Sequence, residues 1–216
     1  MKRKRLVAAI ATVGALVFAS VAMAAVINGT PGNDRLKGTA ENDEIRGFAG
    51  HDWIHALEGS DLVRAGRDGD VVRAGEGDDE VYGGQGRDSL HGAPGNDRMW
   101  GGSDGDGVWG GQGDDRVGGG SGNDVVNGGE GNDSVFGGSG SDTIYGGPGD
   151  DVLHVLAPDG NADFAHCGAG NDTIYILRSE RPRTRLFGCE NIVLVDAATA
   201  EQAAAENDDQ DGAADA

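Results

Sequence analysis

Apolar residues recur at a fixed interval of nine along most of this chain. Residues 29–154 divide into fourteen consecutive nine-residue units, and after a three-residue insertion at 155–157 two further units occupy 158–175. Position eight of every unit is apolar, beginning with Leu36 and weakening only at Ala165. Because side chains alternate across a strand, position eight points inward and positions seven and nine point outward. The pattern predicts a short strand at positions seven to nine of each unit.

The positions between these strands predict tight turns. Positions one, two and four are mostly glycine, which adopts the positive φ of a tight turn at no steric cost. A strand of three residues is not stable alone, but two units make one coil of eighteen residues, and alternate units stack about 4.8 Å apart. We therefore expect an all-β solenoid with two parallel sheets around the position-eight side chains. The insertion at 155–157 should form a bulge or a lengthened turn.

Position six is aspartate in all sixteen units. These residues are Asp34, Asp43, Asp52, Asp61, Asp70, Asp79, Asp88, Asp97, Asp106, Asp115, Asp124, Asp133, Asp142, Asp151, Asp163 and Asp172. One interpretation is that they only form turns through local side-chain hydrogen bonds. Turn formation would also accept Asn or Ser, however, and neither occurs at position six.

The repeat has the consensus GGxGxDxUx, in which U is apolar. Full GGxGxD cores begin at residues 83, 110, 119, 128, 137 and 146. Over residues 29–175 the chain resembles the RTX (hemolysin-type) calcium-binding proteins. The resemblance implies a right-handed parallel β-roll with calcium between turns one coil apart. The segments Cys167–Asp172 and Gly188–Glu190 resemble the end of a secreted bacterial subgroup of this family.

The resemblance also implies that the aspartates form two columns of eight, one beginning at Asp34 and the other at Asp43. Each column has seven gaps, so both together hold at most fourteen ions. Ca²⁺ suits such sites because it takes six to eight oxygen ligands, whereas Mg²⁺ demands octahedral ligation. Zn²⁺ and Cu²⁺ would need His or Cys clusters, which the repeats lack. The expected cofactor is therefore Ca²⁺.

The gaps are not expected to bind calcium equally, because several units depart from the consensus. In the first four units the second glycine is replaced, by Thr30, Thr39, Phe48 and Leu57. Glu41, Asp68 and Asp104 replace the fourth-position glycine in their units, and the unit at 158–166 lacks the turn glycines. We therefore expect weaker sites at the N-terminal end. The best sites are predicted at Asp115, Asp124, Asp133, Asp142 and Asp151.

Folding is expected to depend on the metal, because stacking brings aspartates of neighbouring coils together. Like charges about 5 Å apart repel by about 3 kcal/mol at an effective dielectric constant of 20. A divalent ion between them reverses the sign of that interaction. Extracellular calcium modules often bind at about 10⁻⁴–10⁻³ M, so the chain should fold when it meets external calcium.

Residues 1–24 have the three parts of a secretory signal peptide. Basic residues 2–5 precede an apolar stretch at 6–19, and the small residues at 22–24 predict cleavage after Ala24. A transmembrane anchor is the alternative, but the apolar stretch is short for a membrane span. The mature chain is expected to be secreted and to have no membrane span.

The repeats at 25–175 are followed by two further segments. Residues 176–196 are expected to form a C-terminal cap, and the acidic residues 197–216 a disordered tail. Cys167 and Cys189 are the only cysteines. In an exported chain they are expected to form a disulfide, with two free thiols as the alternative.

The formal net charge is −20, and it becomes −24 without the four basic residues at 2–5. A surface with this much negative charge repels nucleic acid and anionic membranes and attracts cations. A chain rich in glycine and acidic residues could also be disordered, but strict periodicity argues against that interpretation.

No motif indicates catalysis. HExxH and GxSxG are absent, and RTX enzymes carry a separate catalytic domain for which this chain has no room. One sheet carries a position-nine stripe of Arg46, Arg64, Tyr82, Trp100, Gly118, Phe136, His154 and Tyr175. Its rings could bind a polysaccharide or a cell-surface partner, or stack on one another across strands. We predict a secreted calcium-binding repeat protein that is not an enzyme. The alternatives are a surface adhesin, a polysaccharide-binding module or a non-catalytic fragment of an RTX enzyme.

Overall fold

A computed structural model describes residues 7–9 and 24–196 of the chain. Most of the predicted signal peptide and all of the predicted acidic tail at 197–216 lie outside the described residues. The strands of the described part are β1 (Val7–Ala9), β2 (Val26–Asn28), β3 (Arg35–Lys37), β4 (Glu44–Ala49), β5 (Trp53–Glu58), β6 (Leu62–Arg67), β7 (Val71–Glu76), β8 (Glu80–Gln85), β9 (Ser89–Pro94), β10 (Arg98–Ser103), β11 (Gly107–Gln112), β12 (Arg116–Ser121), β13 (Val125–Glu130), β14 (Ser134–Ser139), β15 (Thr143–Pro148), β16 (Val152–Val155), β17 (Phe164–Ala169), β18 (Thr173–Leu177), β19 (Arg185–Phe187) and β20 (Asn191–Val195).

The strands alternate between two parallel sheets. One sheet has the order β1-β2-β4-β6-β8-β10-β12-β14-β16-β18-β20, and the other has the order β19-β17-β15-β13-β11-β9-β7-β5-β3. Strand β1 lies within the predicted signal peptide and pairs with β2. Paired residues in adjacent coils are eighteen apart through most of the chain, as Val63 and Val81 are. The chain is thus an all-β solenoid of about nine turns, as the periodicity predicted.

Position-eight side chains fill the space between the two sheets. Ile45, Leu90, Met99 and Ile144 are among those with no exposed surface. With the inward residues of position one, such as Ala65, they form one continuous apolar cluster. The inward orientation of position eight is therefore confirmed.

The strands are longer than predicted. Most contain six residues, positions seven to nine of one unit and one to three of the next, as β8 does. Among the described glycines, φ is positive at positions two and four, as at Gly84 and Gly86, with Gly32 as the exception at position four, but it is not positive at position one. The prediction that position-one glycines supply a positive φ to the turn is therefore wrong. Position one belongs to the strand and faces the interior.

The insertion at 155–157 forms a lengthened turn. Strand β16 ends at Val155 and β17 begins at Phe164, and the residues paired between β15 and β17 are 21 apart instead of eighteen. Apart from this offset, the strands before and after the insertion pair in the same parallel register, so the position-six columns continue through the insertion.

Residues 176–196 complete β18 and add one more coil, formed by β19 and β20. The side chains of Ile192 and Leu194 are 43% and 38% exposed, because no further coil covers them within the described residues. No helix in the described part of the chain is long and apolar enough to cross a membrane.

Candidate metal sites

Each position-six aspartate immediately precedes a strand, in the turn that connects the two sheets. From Asp43 to Asp172 these side chains are buried, with at most 9% of their surface exposed, whereas Asp34 in the first unit is half-buried. Because coils stack in register, alternate aspartates lie above one another. The structure therefore brings all sixteen into the two columns that the resemblance implied.

From Asp52 onward, one oxygen of each carboxylate joins neighbouring coils. The Asp97 N–H donates to Asp115 Oδ1 at 2.7 Å, and the Asp115 N–H donates to Asp133 Oδ1 at 2.8 Å. The same bond occurs at all fourteen steps of the two columns, at 2.7–3.0 Å. The aspartates therefore bond across coils, and the local turn-forming interpretation does not account for them.

The second oxygen of most of these carboxylates has no donor. Oδ2 is buried without a hydrogen-bond partner in Asp52, Asp61, Asp70, Asp79, Asp88, Asp97, Asp106, Asp115, Asp124, Asp133, Asp151 and Asp172. Burying a carboxylate oxygen without a partner is unfavourable by several kcal/mol, so such an atom calls for a proton or a cation.

Position-one glycines bring another acceptor beside that oxygen. A Cβ atom on Gly101 would lie 2.5 Å from Asp106 Oδ2 and 2.5 Å from the carbonyl oxygen of Gly119 in the next coil. A Cβ atom at Gly101 would thus collide with both atoms, and two acceptors border the same space. No group of three His, Cys, Asp or Glu side chains in the described residues could hold a metal. Ca²⁺ accepts backbone carbonyl oxygens as well as carboxylate oxygens as ligands.

Comparison with known families agrees with this geometry. The RTX calcium-binding nonapeptide repeat matches the chain four times, at residues 28–63, 55–90, 82–117 and 118–153. The chain belongs to the RTX repeat family. RTX nonapeptide repeats are non-catalytic and bind calcium, and proteins that contain them are typically secreted by bacteria. A search of curated proteins found no match.

Burial raises the pKa of the position-six RTX aspartates from Asp52 onward. Desolvation, which disfavours the ionised form, raises the pKa of Asp88 to about 8 and those of Asp79 and Asp115 to about 7. The backbone N–H that donates to each carboxylate opposes this rise, whereas neighbouring carboxylates of the same column add to it. In the absence of metal, the columns therefore retain protons at a pH where aspartates in water are ionised.

The first two RTX units differ from those that follow. The N–H and hydroxyl groups of Thr30 donate to Asp34 Oδ2 at 2.5 and 2.9 Å, and those of Thr39 donate to Asp43 Oδ2 at 2.5 and 3.0 Å. Neither threonine has a positive φ, unlike Phe48, which stands at the same position of the third unit. In these two units the threonine therefore supplies hydrogen-bond donors to Oδ2, the oxygen that has no partner in most later units. Weaker sites at the N-terminal end stay a prediction, with which this difference is consistent.

A second ladder was missed by the sequence analysis. In one column of turns, position five alternates between Asp and Asn, and its side-chain oxygen accepts the position-five N–H of the next coil. Asn96 N–H donates to Asp78 Oδ1 and Asp114 N–H to Asn96 Oδ1, each at 2.8 Å, and the series continues to Asn171. The alternation keeps charged members two coils apart. Aligning position five at an interval of eighteen would have found it.

The predicted disulfide is present between Cys167 and Cys189. Cys167 is fully buried at position one of the last RTX unit, and Cys189 packs against the core from the shortened final turn. Next to Cys189, Glu190 Oε2 accepts the Asp172 N–H at 3.1 Å. At the earlier steps of the column, the corresponding N–H is accepted by an aspartate of the next coil. A glutamate thus ends one column, a substitution that the nine-residue pattern did not predict.

The position-nine rings of the RTX roll stack on one another. Tyr82 and Trp100 have ring centroids 5.3 Å apart, Phe136 and His154 4.3 Å apart, and His154 and Tyr175 5.2 Å apart, with nearly parallel planes. Their faces therefore point along the solenoid axis, and their edges point outward. Polysaccharide binding by this stripe stays a prediction.

Proposed function

We propose that this chain is a secreted calcium-binding protein whose roll becomes stable when calcium enters the two aspartate columns. The observation that carries the proposal is the row of buried Oδ2 atoms without a donor, seven of which (Asp52, Asp88, Asp97, Asp106, Asp115, Asp124 and Asp151) share the space beside a position-one glycine with a backbone carbonyl of the next coil. A hydrogen-bonded turn has no need of such an arrangement, and a bound Ca²⁺ would supply the missing positive charge. The chain would act by binding, and we propose no catalytic role for it.

The residues that would hold the ions are the position-six aspartates together with position-one carbonyl groups. From Asp52 onward, Oδ1 of each aspartate is already used by the coil-to-coil bond, so Oδ2 is the atom left for a metal. In the first gap of each column the corresponding atoms of Asp34 and Asp43 receive hydrogen bonds from Thr30 and Thr39. Of the fourteen gaps, two are thus closed by threonine, and we propose that at most twelve bind calcium.

Coupling between binding and folding follows from the same atoms. From Asp52 onward, stacking of the described coils places position-six carboxylates above one another. Burial raises the pKa of these carboxylates, and most of them have an Oδ2 atom without a hydrogen-bond partner. Stacking the coils while these groups are ionised is unfavourable, and the unfolded chain avoids this by separating them. The predicted signal peptide supports export, after which the chain would meet calcium at about 10⁻³ M, the level that extracellular modules bind.

The experiment that tests the proposal is a calcium titration of the exported protein after treatment with a chelating resin. We expect the β-sheet signal in circular dichroism to appear cooperatively below about 1 mM calcium at pH 7.5. Equilibrium dialysis should give several ions per chain, and magnesium at the same concentration should not replace them.

A matched pair of variants makes the test specific for the columns. Asp151→Asn alters a buried position-six carboxylate, and Asp150→Asn alters its exposed neighbour at position five. We expect the first variant to need several times more calcium for folding and the second to behave as the parent protein. A chain that is equally β-rich in excess chelator and retains no ion at millimolar calcium would refute the proposed function.

A further inference from the structure

The backbone nitrogen of Ala25 contacts the first carboxylate of the second column. Ala25 N–H donates to Asp43 Oδ1 at 2.6 Å, and the carbonyl group of Ala25 accepts the Glu44 N–H at 2.8 Å. Ala25 is therefore fixed from both sides against the strand that follows Asp43. Its nitrogen occupies the place that the N–H of an aspartate one coil earlier takes at every later step of the column.

Ala25 is also the residue that follows the predicted cleavage point. Hydrolysis of the Ala24–Ala25 peptide bond by a leader peptidase adds one water, and yields a carboxylate on Ala24 and an α-ammonium group on Ala25. We propose that this new ammonium group forms an ion pair with Asp43 and completes the N-terminal end of the roll. The proposal rests on the export and cleavage included in the proposed function.

The surroundings of Asp43 fit a carboxylate that is neutralised by the chain itself. Its Oδ2 accepts the Thr39 N–H at 2.5 Å, and the Thr39 hydroxyl lies 3.0 Å from both carboxylate oxygens. With the Ala25 nitrogen on Oδ1, both oxygens have donors and the side chain is only 3% exposed. The later aspartates lack such donors at Oδ2. Before cleavage the Ala25 N–H is a neutral donor, and after cleavage the same nitrogen carries a positive charge.

Cleavage would therefore do more than release the leader. It would place a fixed cation at the N-terminal end of one column, ahead of its first gap, whereas the gaps from Asp61 onward depend on calcium. Charge-assisted hydrogen bonds are shorter and stronger than neutral ones, so the mature chain should hold its first coil more firmly than a chain extended before Ala25.

The test compares the exported protein that begins at Ala25 with a form in which one glycine is inserted between Ala24 and Ala25. The second form keeps Asp43 and Thr39 but moves the ammonium group one residue away. Both are measured at saturating calcium, so that the calcium sites contribute equally. We expect the extended form to melt about 2–4 °C lower, the shift expected for loss of one such interaction in a chain of this size. Acylation of its α-amine near pH 7 should be at least tenfold faster than in the Ala25 form.

The variant Asp43→Asn serves as the control, since the inserted glycine should lower its melting temperature no further. Equal melting temperatures and equal amine reactivity of the Ala25 and extended forms would overturn the ion pair. A mature chain that mass spectrometry finds to begin elsewhere would overturn it as well. Failure of the chain to bind calcium would contradict the proposed function but leave this comparison decisive, because it does not measure metal binding.

Discussion

Acid should stabilise the metal-free roll, and alkali should unfold it. In the folded chain, burial raises the pKa of Asp52, Asp124, Asp133 and Asp151 to about 6 and that of Asp88 to about 8. In the unfolded chain, aspartates return to their usual pKa of about 3.9. The folded state therefore binds more protons across the interval between these values. Stability is fully present below about pH 4 and is lost as the pH rises through 6 to 8.

The size of the effect follows from the number of carboxyl groups that take part. Each group that is protonated in the roll and ionised in the unfolded chain removes about 1.4 kcal/mol of stability per pH unit. Only three such groups would remove about 4 kcal/mol per pH unit, which is comparable to the whole stability of an ordinary domain over two units. The metal-free chain should therefore be folded near pH 5 and unfolded near pH 8, and calcium should restore the fold at pH 8.

A single substitution can separate this effect from the general acidity of the surface. In Asp115→Asn the amide oxygen still accepts the Asp97 N–H, while the amide nitrogen can donate to the Gly128 carbonyl, which borders the same space beside Gly110. This variant should stabilise the metal-free roll at pH 8 and reduce its pH dependence by about 1.4 kcal/mol per pH unit, while it weakens calcium binding. Asp114→Asn removes an equal charge at an exposed position, where that charge only adds to the raised pKa values of Asp115 and Asp133, and it should change both properties much less.

The assay is thermal unfolding followed by circular dichroism, on resin-treated protein at constant ionic strength and at four pH values from about 5 to 8. Parallel samples contain millimolar calcium. The reasoning is refuted if the metal-free melting temperature stays constant or rises between pH 5 and 8. It is also refuted if Asp114→Asn and Asp115→Asn shift the melting temperature equally, because surface charge alone would then explain the result.

Four further predictions concern single positions. Gly129→Ala should destabilise the calcium-bound roll by more than about 2 kcal/mol in urea unfolding, because φ is +126° and a Cβ would collide with the Gly111 carbonyl group. Gly32→Ala is its control and should be nearly neutral, since the nearest atom to its Cβ is 3.8 Å away. Phe48→Gly should stabilise by about 0.5–1 kcal/mol in the same assay, because Phe48 has φ of 82° and is 49% exposed; an unchanged midpoint would contradict this. Reduction of the disulfide, which closes a separation of 22 residues, should lower the free energy of unfolding by about 3 kcal/mol, and a midpoint insensitive to reductant would argue against it. Thr30→Gly should add one calcium ion in equilibrium dialysis, because glycine removes the hydroxyl donor and can take the positive φ of later units, in which the position-two N–H does not bond to Oδ2. Thr30→Ser should keep the parent number.

Much of the fold could be predicted because the apolar, glycine and aspartate positions recur every nine residues. An apolar residue at every ninth position, with two units to a coil, leaves no other arrangement that buries residues such as Val63 and Val81 together. The interval also placed the aspartates in columns. The length of the strands was missed, because glycine at position one was assigned to the turn. Its absent side chain instead makes room for a carboxylate and a carbonyl oxygen, as beside Gly101. A sequence does not distinguish glycine chosen for its φ from glycine chosen for space.

The details of the site were less predictable, because they depend on which atoms meet across a distance of eighteen residues. The bond from an Asp N–H to the next Oδ1 is invisible in a single unit, and so is the position-five ladder of Asp114 and Asn96. The substitutions Thr30 and Thr39 were noticed as departures from glycine. Their consequence, that both threonines donate hydrogen bonds to Oδ2 of Asp34 and Asp43, could be recognised only from the contacts in the structure. Glu190 was not predicted because the final turn is shorter than a repeat unit.

The two oxygens of a position-six aspartate have different roles: Oδ1 fixes the register of the coils, and Oδ2 makes their stacking depend on a cation or a proton. Oδ1 receives a backbone N–H at all fourteen steps, a bond that needs no metal and fixes the register of the coils. Oδ2 receives nothing at most steps, so the same side chain that aligns two coils also makes their stacking unfavourable while it is ionised. Register and stability are thereby separated: hydrogen bonds determine where the coils meet, and a cation or a proton determines whether they stay together. An aspartate is required because Asn would supply the first function while abolishing the second.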